Sequence, residues 1–114
     1  MPSQSSTHRA AAFRELLSES GEDLDVLDGD RLVAQFTGIV NRGLDAAALE
    51  AGQVDFTERN MTHIEVLIED LDGGDPPAVG MHFRDGRLVH HRISVARRTD
   101  VTLKYECHVE AEAT

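Results

Sequence analysis

The sequence predicts a mainly β domain: a small antiparallel β-barrel or sandwich of about six strands behind a short N-terminal helix. Three observations predict it. Apolar and polar residues alternate with a period of two in several runs after Arg31. Turn-forming residues, Asp-Gly above all, separate those runs at short intervals. The segment before Gly21 carries a helical pattern with a cap at its start and a glycine at its end. A chain of 114 residues holds one domain. At that size its core is modest, and association between copies adds stability.

Taken in order, residues 1–6 are small and polar and read as a disordered tail. Residues 7–21 read as a helix. Ser6 or Thr7 caps its start, Phe13, Leu16 and Leu17 share one face, and Gly21 suits its end. That apolar stripe is narrow, so the helix needs a barrel wall or a neighbouring subunit to pack against. Residues 22–110 read as the β domain. Leu24 and Val26 form a short edge strand, ended by the Asp28-Gly29-Asp30 turn. Arg31 to Val40 is a strand rich in β-formers, and Leu44 to Gln53 is an Ala-rich helical turn inside a longer loop. Ile64, Val66 and Ile68 share one face of the next strand, while His63 and Glu65 share the other. A loop dense in Asp, Gly and Pro, Glu69 to Pro77, leads to alternating Val79, Met81 and Phe83. Asp85-Gly86 then supplies the positive-φ positions of a tight hairpin. The return strand turns Val89, Ile93 and Val95 inward if His91 shares their face. In the last strand Val101, Leu103, Tyr105, Cys107 and Val109 alternate with Thr102, Lys104, Glu106 and His108. Residues 111–114 read as a flexible tail.

The charge excludes several partners. With 21 acidic against 11 basic residues the chain carries −10, which disfavours sequence-independent grip on phosphate backbones and on anionic membranes. Aromatic residues are 4% of the chain, with no Trp, too few for a base-stacking platform. No run approaches the roughly 18 apolar residues of a transmembrane helix. The N-terminus lacks the apolar stretch of a signal peptide, so a cytoplasmic chain is expected. A single cysteine, Cys107, allows no internal disulfide.

Six histidines raise the question of a metal. His82 and His90 flank the Asp85-Gly86 turn, and His108 lies on the following strand. Three imidazoles on one sheet face would suit zinc or iron, and a small metal- or ligand-binding barrel enzyme is the alternative reading. No H-E-x-x-H, paired cysteine or facial-triad carboxylate accompanies them, so solvated outer-face histidines are the plainer expectation. No cofactor is expected and no catalytic residue stands out. Cys107 falls at an inward position between Tyr105 and Val109, as a buried thiol rather than a nucleophile. The acidic run Asp23, Asp25, Asp28, Asp30 lacks the order of a calcium loop. The loop Asp70-Leu71-Asp72-Gly73-Gly74-Asp75 lacks the Lys-Ser/Thr of a phosphate-binding loop.

The order of elements has a counterpart. A helix is followed by a strand ending Phe36-Thr37-Gly38-Ile39-Val40-Asn41-Arg42 and, after an insertion, by the strand Thr62-His63-Ile64-Glu65-Val66-Leu67-Ile68. A hairpin, Val79-Gly80-Met81-His82-Phe83-Arg84-Asp85-Gly86-Arg87-Leu88-Val89, and a strand from Val101 to Val109 complete the chain. Across roughly Phe13 to Glu110 this resembles the small head–tail joining (head-completion, or stopper) proteins of tailed bacteriophages and prophages. The resemblance implies a barrel protomer that forms a ring, of six copies, beneath the portal–adaptor complex. It implies portal, adaptor and tail proteins as partners, and residence in the host cytoplasm during assembly and afterwards in the virion neck. No catalytic residue carries over. The loops would then dock the partners, with Leu44, Ala48, Leu49, Asp70, Asp72 and Asp75 as the contact residues.

Overall fold

The computed structural model describes residues 4–42 and 61–109. An N-terminal helix, α1 (Gln4–Ser20), precedes six strands: β1 (Glu22–Asp28), β2 (Arg31–Asn41), β3 (Met61–Leu67), β4 (His82–Arg84), β5 (His90–Arg98) and β6 (Thr102–Val109). A short 3-10 helix, Ile68–Leu71, follows β3. The strands close into a barrel in the order β1-β2-β3-β6-β5-β4. All six neighbouring pairs are antiparallel. The chain is thus a mainly β, closed six-stranded barrel with one N-terminal helix among the described residues.

Alternation builds the core. Leu24 and Val26 of β1, Phe36 of β2, Ile64 and Val66 of β3, Phe83 of β4, Ile93 of β5, and Leu103, Tyr105 and Cys107 of β6 meet inside. Phe83 and Tyr105 stack edge to face with ring centroids 5.2 Å apart. The Tyr105 hydroxyl donates to the Pro77 carbonyl (2.9 Å), which satisfies the one polar atom of that ring. The β1–β2 hairpin uses a two-residue loop. Its first residue, Gly29, has φ of 64°, a conformation that suits glycine in such turns.

The barrel corrects the reading of β1 as an edge. All seven of its residues pair with β2, and Asp25, Val26 and Leu27 pair with β4 on the other side, Val26 lying opposite Phe83, so closure covers the middle of that edge. The register against β2 shifts between Val26 and Leu27, with Val33 as the extra residue on β2. Val26 faces the core, while the consecutive Leu27, opposite His82 of β4, is buried without joining that core cluster. A second shift, between Ile93 and Val95, interrupts the alternation of β5. His91 and Ile93 point inward, whereas Val95 falls opposite Glu106 and is half-buried. The approach to β4 is also less strand-like than its alternation suggests. Met81 N–H donates to Ala78 (3.0 Å) in a turn, and Val79 is exposed.

The β4–β5 turn departs from its expected chemistry. Gly86 is not the positive-φ residue; Leu88 is, at φ 65°. Asp85 N–H donates to Val89 (3.1 Å) and Leu88 N–H to Asp85 (3.0 Å). This is a three-residue loop whose last member is left-handed.

The helix begins at Gln4, three residues ahead of the expected start, and packs on β2 and β3 of its own barrel. Leu17 is buried, but Leu16 is 43% exposed, so the three residues expected on one face do not all bury. Gly21 ends the helix. Its N–H returns to the Leu17 carbonyl (2.8 Å), and a Cβ there would collide with that carbonyl and with Thr37. Arg14 ties the helix to the 3-10 segment through Glu69 (2.6 Å) and Asp70 (2.7 Å), and Arg9 pairs with Asp100.

Candidate functional site

The histidines singled out in the sequence do lie outside the barrel wall, but pairing separates them. Arg92 stands directly opposite His82 on one side and His108 on the other, so a cation interrupts the row. His90 pairs with Arg84, and its ring meets that of His82 edge on at 5.9 Å. Among the described residues no group of three His, Cys, Asp or Glu side chains is placed to hold a metal ion.

The expected docking loops fare differently. Leu44, Ala48 and Leu49 lie outside the described residues. Asp70 is drawn into the Arg14 pair, whereas Asp72 and Asp75 are exposed on the turn beyond. That turn is pinned at its far end by the buried Pro77, which accepts the Tyr105 hydroxyl. Cys107 is fully buried, and burial pushes its thiol up to about 12.

The most elaborate polar arrangement is inside the barrel and was not singled out from the sequence. Thr62 Oγ1 lies 3.2 Å from His91 Nδ1, and His91 Nε2 lies 2.9 Å from Asp85 Oδ2. All atoms are satisfied when the Thr62 hydroxyl donates to Nδ1 and Nε2–H donates to the carboxylate. Asp85 also accepts N–H bonds from Arg87 (2.8 Å) and Val89 (3.1 Å), and its Oδ2 accepts from Arg42 (3.3 Å). Arg42 completes the chain with a two-pronged pair to Glu22, at 2.5 and 2.6 Å. Burial pushes the Asp85 carboxyl up, but the bonds from His91, Val89, Arg87 and Arg42 outweigh it and hold it down at about 2. The Arg42 pair likewise lowers Glu22 and raises Arg42.

A hydroxyl, an imidazole and a carboxylate in series have the order of a hydrolytic triad. A triad works only when its nucleophile faces a substrate cavity. Thr62 and His91 are each 1% exposed and Asp85 4%, so the hydroxyl presents no attacking face. What the arrangement does is structural. It joins the start of β1, the end of β2, β3, the β4–β5 turn and β5 through one satisfied polar chain. One signal could have found part of it: alternation in β3 and β5 places Thr62 and His91 on the inward face beside Ile64 and Ile93.

Outside the barrel, a groove of about 380 Å³ crosses the outer face of β2, β3, β6 and β5. Its rim is charged, and Glu106 stands between His63 (3.7 Å) and Arg97 (3.8 Å). No protein-family model matches the chain, and no curated protein matches it.

Proposed function

We propose that the chain is a structural protein of the head–tail junction of a tailed phage or prophage. It would form a ring below the portal–adaptor complex and offer the tail an attachment surface. The observation that carries this reading is the filled interior: among the described residues ten apolar side chains occupy the barrel core, and its reactive-looking trio is sealed among them. Working chemistry is therefore left to the walls and loops, as in a protein that acts by fitting to others. The order of elements supports the same reading, with its helix, its Thr37-Gly38-Ile39 strand and its closing hairpin. The surplus of carboxylates supports it too, since an acidic ring lets DNA pass without gripping it.

Co-expression with the portal and adaptor proteins encoded beside its gene tests the reading. A complex that co-purifies and shows a ring in electron micrographs is the expected result. A gene neighbourhood without portal or capsid genes, or a purified chain that turns over a small molecule, overturns it.

A further inference from the structure

The charge of this barrel is segregated by strand. Residues 22–30, β1 and its turn, hold five carboxylates (Glu22, Asp23, Asp25, Asp28, Asp30) and no basic residue. Residues 90–98, the whole of β5, hold Arg92, Arg97 and Arg98 with two histidines and no acid. Lys104 of β6 stands opposite Arg97 on one side, which extends the basic surface, and opposite Glu65 of β3 on the other, where that surface ends. Along the chain the overall charge is −10, so a nine-residue strand without a carboxylate is a marked reversal.

Internal pairing leaves part of each surface unspent. On the acidic strand Glu22 is held by Arg42, and Asp25 by Arg84 and Gln35. Asp28 and Asp30 are exposed and close no ion pair among the described residues, although Arg31 stands opposite Asp28 in the register, and among those residues Asp23 accepts only the Thr37 hydroxyl. On the basic strand Arg92 and Arg98 have no carboxylate partner among the described residues, and Arg97 reaches Glu106 only at 3.8 Å. Beside the acidic turn Leu32 and Val33 are 50% and 40% exposed. An apolar pair rimmed by carboxylates has the make-up of a contact surface. On β5, Val95 and Ala96 lie between Arg92 and Arg97.

From this we propose that copies of the chain associate head to tail, the β1–β2 hairpin of one against the β5–β6 wall of the next. The inference deepens the ring reading and rests on its premise of self-association. The two surfaces lie on different sides of the barrel: β1 and β5 are separated by β4 on one side and by β2, β3 and β6 on the other. In a six-stranded barrel that is about a third of the circumference, too far round for one flat patch to include both. A two-fold contact at either surface would therefore set like charge against like. A head-to-tail contact sets Asp28 and Asp30 against Arg97, Arg98 and Lys104, and repeats until it closes.

Sedimentation in about 0.15 M salt, where overall repulsion is screened but close pairs persist, tests the pairing. One variant carries Arg92→Glu, Arg97→Glu and Arg98→Glu; a second carries Asp23→Lys, Asp28→Lys and Asp30→Lys. Circular dichroism first establishes that both are folded. Wild type is expected to associate with rising concentration, and each variant alone at least tenfold more weakly. An equimolar mixture of the two should recover association, because each reversed face then meets its reversed complement. Each Asp→Lys exchange adds two positive charges, so the second variant carries −4. Were association governed by net charge, that variant would associate better than wild type. That outcome overturns the proposal, as does a mixture that stays monomeric or a wild type that never associates.

Lys104 is the sole lysine and provides an independent readout. Carbodiimide should join it to Asp28 or Asp30 of another copy in isotopically mixed samples. Links found only within one chain, for instance to Glu65 opposite it on β3, also overturn the proposal. Variants that associate like wild type remove this surface while leaving the neck reading intact. Failure to co-purify with a portal removes the neck reading while leaving the charge pairing intact.

Discussion

His91 Nε2 lies 2.9 Å from Asp85 Oδ2, with both side chains sealed inside the barrel. Removing one member of such a buried pair strands the others, since His91 and the N–H groups of Arg87 and Val89 all lose their acceptor. Asp85→Ala is therefore expected to cost about 3–5 kcal/mol, read as a lower urea midpoint. A loss below about 1 kcal/mol would show that the chain from Thr62 to Glu22 holds nothing together. His91→Leu, which is closer to histidine in volume and drops both ring nitrogens, should cost less than Asp85→Ala if Asp85 keeps its bonds to the turn.

The same carboxylate sets an acid limit. Asp85 is held at about 2, below its ordinary 3.8. A depressed carboxyl contributes stability that is complete above its unfolded value and is lost as pH falls through its folded value. The urea midpoint of the wild type should therefore fall between about pH 4 and pH 2. Asp85 supplies about 2 kcal/mol of that loss. Glu22 and Asp25, both also lowered by their hydrogen-bond partners, add in the same direction. In Asp85→Asn the slope should shrink while the remaining carboxylates keep theirs. An unchanged slope in that variant would sink the assignment.

Cys107 offers a test of how tightly the barrel closes. It is buried between β3 and β5, opposite Thr62 on one side and Ile93 on the other, and burial raises its thiol to about 12. Thiolate is the reactive form, so a disulfide reagent at pH 8 should leave it unmodified until urea unfolds the chain. Labelling at the rate of a free thiol in native buffer would show that the wall opens readily.

Much of this was legible in the sequence because a half-buried strand writes its burial pattern as alternation. Ile64 and Val66, and Leu103, Tyr105 and Cys107, sit where their spacing puts them. Alternation fails where a bulge inserts a residue, as at Val33 and at Ser94, because nothing local distinguishes a bulge from a continued strand. It also says nothing about which strands become neighbours. His82, His90 and His108 lie on the outward face, although the ring nitrogens of His82 are shielded from solvent, and only the register reveals Arg92 between His82 and His108. The buried network was hidden for a related reason. Glu22 and Arg42 come from the β1–β2 hairpin, Asp85 and His91 from the β4–β5 hairpin and Thr62 from β3, and only barrel closure brings these three parts together.

The β4–β5 turn shows the limit of turn chemistry, and it can be tested. Asp85-Gly86 has the composition of a tight hairpin, yet the left-handed position falls on Leu88, at φ 65°. A side chain there crowds its own carbonyl, a cost of about 1–2 kcal/mol that glycine avoids. Leu88 is 64% exposed, so little burial offsets that strain. Glycine's freer unfolded chain returns part of the gain, which leaves Leu88→Gly stabilising by about 0.5–1 kcal/mol. Gly86 is not left-handed, and a Cβ added there meets nothing within 4 Å. Gly86→Ala should therefore be neutral or slightly stabilising. Urea midpoints of the two variants decide between this geometry and the one the Asp-Gly pair suggests. A left-handed Gly86 would make Gly86→Ala the damaging change and leave Leu88→Gly without benefit.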